Sequence, residues 1–158
     1  MTIQVGEHLP EATLSVIGDA PQPKSTSEIF GGRKIVLFCV PGAFTPTCSE
    51  KHLPGYVQHF AAFRERGVDV ACLAVNDAFV LKAWAQAQNV PEGMLMLADG
   101  NAEFVRALGL EMDASKYGMG LRGKRFALYV DDGVVKVAAI EAPGEFRVSS
   151  AEAMLAAI

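Results

Sequence analysis

Cysteine is scarce in this 158-residue chain, with Cys39, Cys48 and Cys72 the only three. They are too few, and too apolar in their surroundings, to form the disulfide framework of a small secreted protein. No Cys-x-x-Cys pair occurs, which excludes a local redox dithiol and the paired ligands of a zinc ribbon. Long basic runs are also missing, and the formal net charge is −4. Neither nucleic acid nor an anionic membrane surface is therefore an expected partner. No apolar run approaches the ~18 residues that would suggest a membrane span. The N-terminal stretch MTIQVGEHLPEATL lacks the basic start and apolar core of a secretory signal, so a cytoplasmic location is expected. Repeats, low-complexity tracts and linkers are absent. At 51% hydrophobic and 20% charged residues, the chain has the composition of a globular protein, read as one domain over residues 1–158.

What the chain does have is alternation between strands and helices. Ile35 to Val40 (IVLFCV) and Val68 to Val75 (VDVACLAV) are continuous apolar runs bounded by turn residues, the pattern of buried strands. A third strand is expected at Met94 to Leu97, and a short edge strand at Ala12 to Ile17. Phe126 to Val130 and Val134 to Ile140 flank Asp131-Asp132-Gly133, a hairpin signal. Helices are expected from Thr47 to about Arg66, stopped by Gly67, and from the Asn76-Asp77 cap to about Gln88. Two more are read at Ala102 to Leu108 and at Ser149 to Ile158, the last capped by Ser149 or Ser150. Ser25 and Glu28 have capping-box spacing, but Gly31-Gly32 leaves room for only about one turn. Pro21 to Lys24 and Leu110 to Gly123 read as loops. Parallel strand–helix–strand units followed by a hairpin and a terminal helix give an α/β fold with a mixed central sheet.

The stretch from Pro41 to Tyr56, PGAFTPTCSEKHLPGY, carries the chemistry. Thr47 followed by Glu50 has capping-box spacing, with Thr47 as N-cap and Cys48 first in the helix. Unpaired backbone N–H groups and the positive end of the helix dipole then favour the Cys48 thiolate, the nucleophilic form. On local physics alone an inert core thiol fits as well. Pro54, inside the helical span, removes a hydrogen bond and should kink it, a weak point at which the first turn could open. His52 stands one turn after Cys48 on the same face, with His59 farther on. One cysteine and two histidines do not close a ligand set, so no metal is expected and His52 is read as ordering the loop by hydrogen bonding.

The spelling Pro41-x-x-x-Thr45-x-x-Cys48, within PGAFTPTCS and followed by His52-Leu53-Pro54-Gly55, closely resembles the active loop of peroxiredoxins of the type II, or peroxiredoxin-5, group. VACLAVNDAFV at residues 70–80, LMLAD at 95–99 and KRF at 124–126 extend the resemblance nearly end to end. It implies a thioredoxin-like three-layer α/β/α sandwich. It also implies a thiol peroxidase acting on hydrogen peroxide and small alkyl hydroperoxides through a Cys48 sulfenic acid. Catalytic roles fall to Cys48, Thr45 and Arg125, and substrate-binding roles to Pro41 and Thr47. Thr45 would set its hydroxyl between sulfur and peroxide, although a turn residue bonding its own backbone is the plain alternative. Pro41 would shield the sulfur from water or simply hold a turn. Arg125 supplies the fixed cation by its KRF context, with Arg122 and Lys124 close enough to compete for the role.

No resident cofactor is implied. Some members of the family carry a resolving cysteine near the C-terminus, whereas residues 145–158 have none. Cys39 and Cys72 lie in apolar strands, so an external thiol is expected: glutathione, directly or with glutaredoxin, and thioredoxin second. Lys116, Arg122, Lys124 and Arg125 could attract an anionic tripeptide. A homodimer is expected through the loops around Cys48, with Phe44 and Phe79 as apolar contacts. A redox relay passing its oxidation to a partner protein, and a non-catalytic interaction module, are the competing readings.

Overall fold

A computed structural model describes residues 1–158. In chain order the elements are β1 (Thr13–Val16), β2 (Gln22–Ser25), α1 (Thr26–Phe30), β3 (Lys34–Val40), a π-helical turn (Cys48–His52), α2 (Leu53–Gln58), α3 (Phe60–Glu65) and β4 (Asp69–Ala74). They continue with α4 (Ala78–Ala87), β5 (Leu95–Ala98), α5 (Glu103–Leu108), β6 (Glu111–Asp113), a 3₁₀ turn (Ser115–Tyr117), β7 (Leu121–Gly123), β8 (Phe126–Asp131), β9 (Val134–Ile140) and α6 (Ala151–Ala157).

The apolar run of β3 is continuous because both of its faces are covered. Ile35, Leu37 and Cys39 point into one core layer with Ile29 and Phe30 of α1 and Phe104 and Leu108 of α5. Val36, Phe38 and Val40 point into the other, with Leu53 and Tyr56 of α2, Phe63 of α3, Leu81 and Trp84 of α4, and Met154 of α6. The same two-residue period runs through β4, so Cys72 lies on the second face and Cys39 on the first. The result is a three-layer α/β/α sandwich around a seven-stranded sheet in the order β2-β1-β5-β4-β3-β8-β9. Strands β3, β4 and β5 are parallel, whereas β8, β9, β1 and β2 join antiparallel. The mixed sheet agrees with the expected fold class.

The β8–β9 turn is a two-residue connection with Asp132 at φ 49° and Gly133 at φ 79°. Positive φ at both positions is the type I′ geometry that matches strand twist. The capping box of α1 forms as expected, with Ser25 Oγ accepting from Glu28 N–H and Glu28 returning to the Ser25 N–H. Ser150 rather than Ser149 caps α6, accepting from Ala153 N–H at 3.1 Å.

Two loop expectations are corrected. Gln22–Ser25 pairs with β1 as an edge strand, where Pro23 is tolerated because an edge needs no second row of donors. Within Leu110 to Gly123, β6 and β7 form a separate two-stranded sheet. Its strands have three residues each, too short for a readable period. The expected single helix from Thr47 to Arg66 is also divided: π-helical at Cys48–His52, then broken at His59, whose φ is −98° and ψ 10°.

Candidate active site

The sequence leaving β3 turns sharply before the helix begins. Thr45 Oγ1 donates to the Gly42 carbonyl at 2.7 Å, closing a tight side-chain turn. Between them Phe44 is held at φ 65°, a left-handed conformation that strains a bulky residue. Thr47 does not cap the helix as expected. It is already helical (φ −63°, ψ −38°) and its side chain makes no capping bond. Ser49 N–H instead donates to the Thr45 carbonyl at 3.0 Å, so the helical segment starts at Pro46. A proline suits that first position because its missing N–H would have no partner there. Cys48 nonetheless remains in the first turn.

The irregularity expected at Pro54 takes the form of the π turn just before it. Leu53 N–H reaches back five residues to the Cys48 carbonyl. Pro54, having no N–H, occupies the start of α2, where the loss is tolerated. The wider turn brings Cys48 and His52 inward, and both are fully buried. Trp84 Nε1 donates to Ser49 Oγ at 3.0 Å and pins the outer side of the turn.

Arg125, immediately before β8, reaches across to this turn. Its Nη2 donates to Cys48 Sγ at 3.2 Å and its Nη1 donates to His52 Nδ1 at 2.8 Å. Because a guanidinium can only donate, His52 Nδ1 must be the acceptor, and its Nε2–H then donates to the Ser149 carbonyl at 3.0 Å. Both flanking groups thus fix one neutral tautomer. Burial first, and the adjacent Arg125 charge second, lower the His52 pKa to about 3. The ring is therefore a permanent neutral acceptor for the arginine, and neither nitrogen is left for a metal.

Ser149 O accepts a second bond, from Tyr56 Oη at 2.7 Å. The segment carrying it is tied down by Glu141, whose Oε2 accepts from Arg147 N–H, Ser149 N–H and Ser149 Oγ at 2.8, 2.8 and 2.6 Å. Phe146 closes the outside, with its ring 5.8 Å from the Arg125 guanidinium and 5.0 Å from His52. A cleft of about 460 Å³ opens beside this cluster and reaches Pro41, Thr47 and Arg125. Arg122 turns elsewhere: its Nε donates to the Met119 carbonyl at 2.8 Å and its Nη1 reaches the Pro41 carbonyl at 3.5 Å. Of the two arginines, only Arg125 contacts the sulfur. Lys124 lies at the cleft wall.

The other thiols stand apart. Cys39 and Cys72 have no exposed surface, and burial, more than the neighbouring thiols, pushes both well above the ordinary thiol range. A part-buried arginine held against a buried cysteine and oriented by a neutral histidine can hold a sulfur anion and present donors to an oxygen that approaches it.

The Redoxin family matches residues 4–155 of the chain. Peroxiredoxin-2E-2, chloroplastic, of Oryza sativa subsp. japonica is 51% identical over 164 aligned positions, covering 99% of this chain and 73% of that protein. The chain belongs to the peroxiredoxin family. Peroxiredoxin-2B of Arabidopsis thaliana is 44% identical over 99% of this chain and 98% of its own length. These relatives put the chain in the type II group. The crystal structure of reduced Prx3 from Vibrio vulnificus in complex with H2O2 superposes with a TM-score of 0.94 at 52% identity, covering 99% of this chain and 96% of that one. The peroxiredoxin has the thioredoxin fold and is a thiol peroxidase. No helix in it is long and apolar enough to cross a membrane.

Sequence reasoning named Cys48 and Arg125, which the structure brings into contact, but did not see what surrounds them in this peroxiredoxin. His52 was legible as a loop-ordering residue, although nothing in the spacing paired it with Arg125. Glu141, Phe146 and Ser149 lie about a hundred residues downstream with no local signal, and only the β8–β9 hairpin returns them to Cys48.

Proposed function

We propose that this peroxiredoxin reduces hydrogen peroxide and small alkyl hydroperoxides at Cys48 and is recycled by an external thiol. The carrying observation is the 3.2 Å donor from Arg125 Nη2 to Cys48 Sγ, a fixed positive charge on a buried sulfur. The thiolate attacks one peroxide oxygen, forming the S–O bond as the O–O bond breaks. A Cys48 sulfenic acid and hydroxide or alkoxide result, and Arg125 offsets the charge that moves to the departing oxygen.

Thr45 supports this reading in a specific way. Its hydroxyl proton is committed to the Gly42 carbonyl, so its lone pairs are oriented to accept from the peroxide O–H. Pro41 and Thr47 border the cleft, where they would contact the bound peroxide and keep water from the sulfur. No resident cofactor takes part, since the electrons come from thiols.

An external reductant is supported by the complete burial of Cys39 and Cys72 inside the sheet's core layers. We assign glutathione, directly or with glutaredoxin, as first reductant and thioredoxin as second. Unwinding of the π turn would bring the sulfenic acid out to meet it. A reducing compartment such as the cytoplasm suits three free thiols. Exposed Phe44 and Phe79, 57% and 75% accessible, support a homodimer. Phe79→Glu should shift the protein toward monomer in analytical ultracentrifugation.

The test is stopped-flow fluorescence of Trp84 with intact mass after one equivalent of hydrogen peroxide, before and after adding glutathione. Fast oxidation followed by a glutathione mixed disulfide is expected. An internal disulfide would instead make Cys39 or Cys72 the resolving thiol, and oxidation no faster than that of free cysteine would overturn the peroxidase assignment.

A further inference from the structure

Arg125 and Glu141 face each other at the open end of the β8–β9 hairpin, each one residue outside its strand, and the Glu141 N–H donates to the Arg125 carbonyl at 3.1 Å. From there their side chains part. The Arg125 guanidinium goes to Cys48 and His52, and the Glu141 carboxylate goes to Arg147 and Ser149. The two branches meet again where the Ser149 carbonyl accepts from His52 Nε2 at 3.0 Å. A closed ring of bonds thus runs from the Arg125 backbone through Glu141, Ser149 and His52 back to the Arg125 side chain.

The segment from Ala142 to Ser149 belongs to no helix or strand and leans on that carboxylate. Glu145 N–H is bonded to the Ala142 carbonyl, whereas Arg147 N–H and Ser149 N–H both go to Glu141 Oε2, which also accepts from Ser149 Oγ. Helix α6, which follows, is fixed separately. The Ser150 cap, the 2.9 Å contact of His59 with Glu152 and the 2.6 Å bond from Arg66 Nη1 to the Leu155 carbonyl hold it. Loss of the Glu141 acceptor therefore falls on Phe146 and Ser149, which touch His52 from this segment. Glu141 joins none of the protein's ion pairs, and its buried Oε1 has no hydrogen-bond partner. Its contribution is concentrated in the three bonds at Oε2.

We propose that Glu141 is a positioning residue for peroxide attack, acting through Ser149, His52 and Arg125 on the donor that faces the Cys48 sulfur. Its carboxylate fixes where the Ser149 carbonyl stands. That carbonyl orients the His52 ring by accepting from Nε2–H, and His52 Nδ1 in turn holds Arg125 Nη1, so that Nη2 stays aimed at Cys48 Sγ. Glu141 supplies geometry rather than charge. The inference rests on the peroxidase reading above and adds one residue to what keeps that site in order.

The test is the second-order rate of Cys48 oxidation by hydrogen peroxide, read from Trp84 fluorescence, for Glu141→Ala, Glu141→Asp and Glu141→Gln, each alone and combined with His52→Phe. Glu141→Ala should slow attack about five- to twentyfold. Glu141→Gln should stay within about threefold of wild type, because an amide oxygen accepts from the same donors and Oε1 has no bond to lose. Glu141→Asp keeps the charge but is one methylene too short to reach all three donors, so it should resemble the alanine variant. In the His52→Phe protein the path is already cut, and every Glu141 substitution should change the rate by less than about twofold. Equal losses with and without His52 would overturn the proposal, because a general loosening of the fold acts in both. So would an aspartate variant faster than the glutamine one, which would make Glu141 act by its charge. Circular dichroism verifies each fold, and the glutamine–aspartate comparison stands even where the alanine variant does not fold. Slow oxidation of the wild-type protein would fail the peroxidase assignment, whereas a fast wild type with indifferent variants would fail only the role of Glu141.

Discussion

Replacing His52 by phenylalanine isolates the support given to Arg125. A phenyl ring preserves the packing, because the imidazole already sits among Phe38, Tyr56 and Phe146 at centroid distances of 5.0, 5.7 and 5.0 Å. What is lost is the acceptor 2.8 Å from Arg125 Nη1 and the donor 3.0 Å from Ser149 O. Ser149 O keeps its bond from Tyr56, so the uncompensated loss falls on the guanidinium. A hydrogen bond to a charged group contributes about 1.5–3 kcal/mol. If about 2 kcal/mol of that is expressed in how firmly Arg125 faces the sulfur, peroxide attack slows roughly thirtyfold. The assay is the second-order rate of Cys48 oxidation from Trp84 fluorescence, with far-UV circular dichroism to verify the fold. Arg125→Ala should slow attack more than His52→Phe does, and combining the two should add little, because the histidine acts through the arginine. A His52→Phe rate within twofold of wild type, in a folded protein, would refute the support of Arg125 by His52.

The same histidine predicts acid sensitivity. Its folded pKa of about 3 lies below the unfolded value, so the stability it contributes is complete above about 6.5 and falls by roughly 1 kcal/mol per pH unit between 6.5 and 3; thermal midpoints should show that slope, and His52→Phe should flatten it. Arg125→Lys keeps the charge but cannot hold sulfur and His52 with one planar fork, so attack should slow by about tenfold or more rather than recover; full activity in the lysine variant would refute the bidentate role. Gly123→Ala should destabilise by about 1–3 kcal/mol in denaturant titrations, because the new methyl would stand 2.8 Å from Cys39 Sγ. Adding Cys39→Ala should restore part of that loss while leaving peroxide attack intact, and failure of the double variant to recover would refute the contact as the cause.

Much of the architecture was legible because burial writes itself into period. The unbroken apolar runs of β3 and β4 are apolar on both faces, and the Asp132-Gly133 turn announces itself by residue type. Where the reading failed, the determinants were distant. Strand β2 is exposed, polar and contains Pro23, so only its pairing with β1 makes it a strand. The Thr47 capping box failed because Pro46 and the Thr45 turn start the helix earlier. In the site, Cys48 and Thr45 could be read from one short stretch, whereas the link from Arg125 to His52 depends on how β8 is placed against β3.

The downstream origin of the Ser149 carbonyl bears on how the enzyme comes to be reactive during synthesis. Cys48 is made early, just after β3 and long before its counter-charge at Arg125 exists. The two donors that converge on Ser149 O, from His52 and Tyr56, find their acceptor only after the β8–β9 hairpin has closed and the Glu141-anchored segment has followed it. A growing chain therefore carries an unassembled cysteine for most of its translation. Arg125 follows Cys48 by 77 residues and Ser149 follows His52 by 97, so neither the counter-charge nor the acceptor that orients the histidine can be in place until most of the chain has been made.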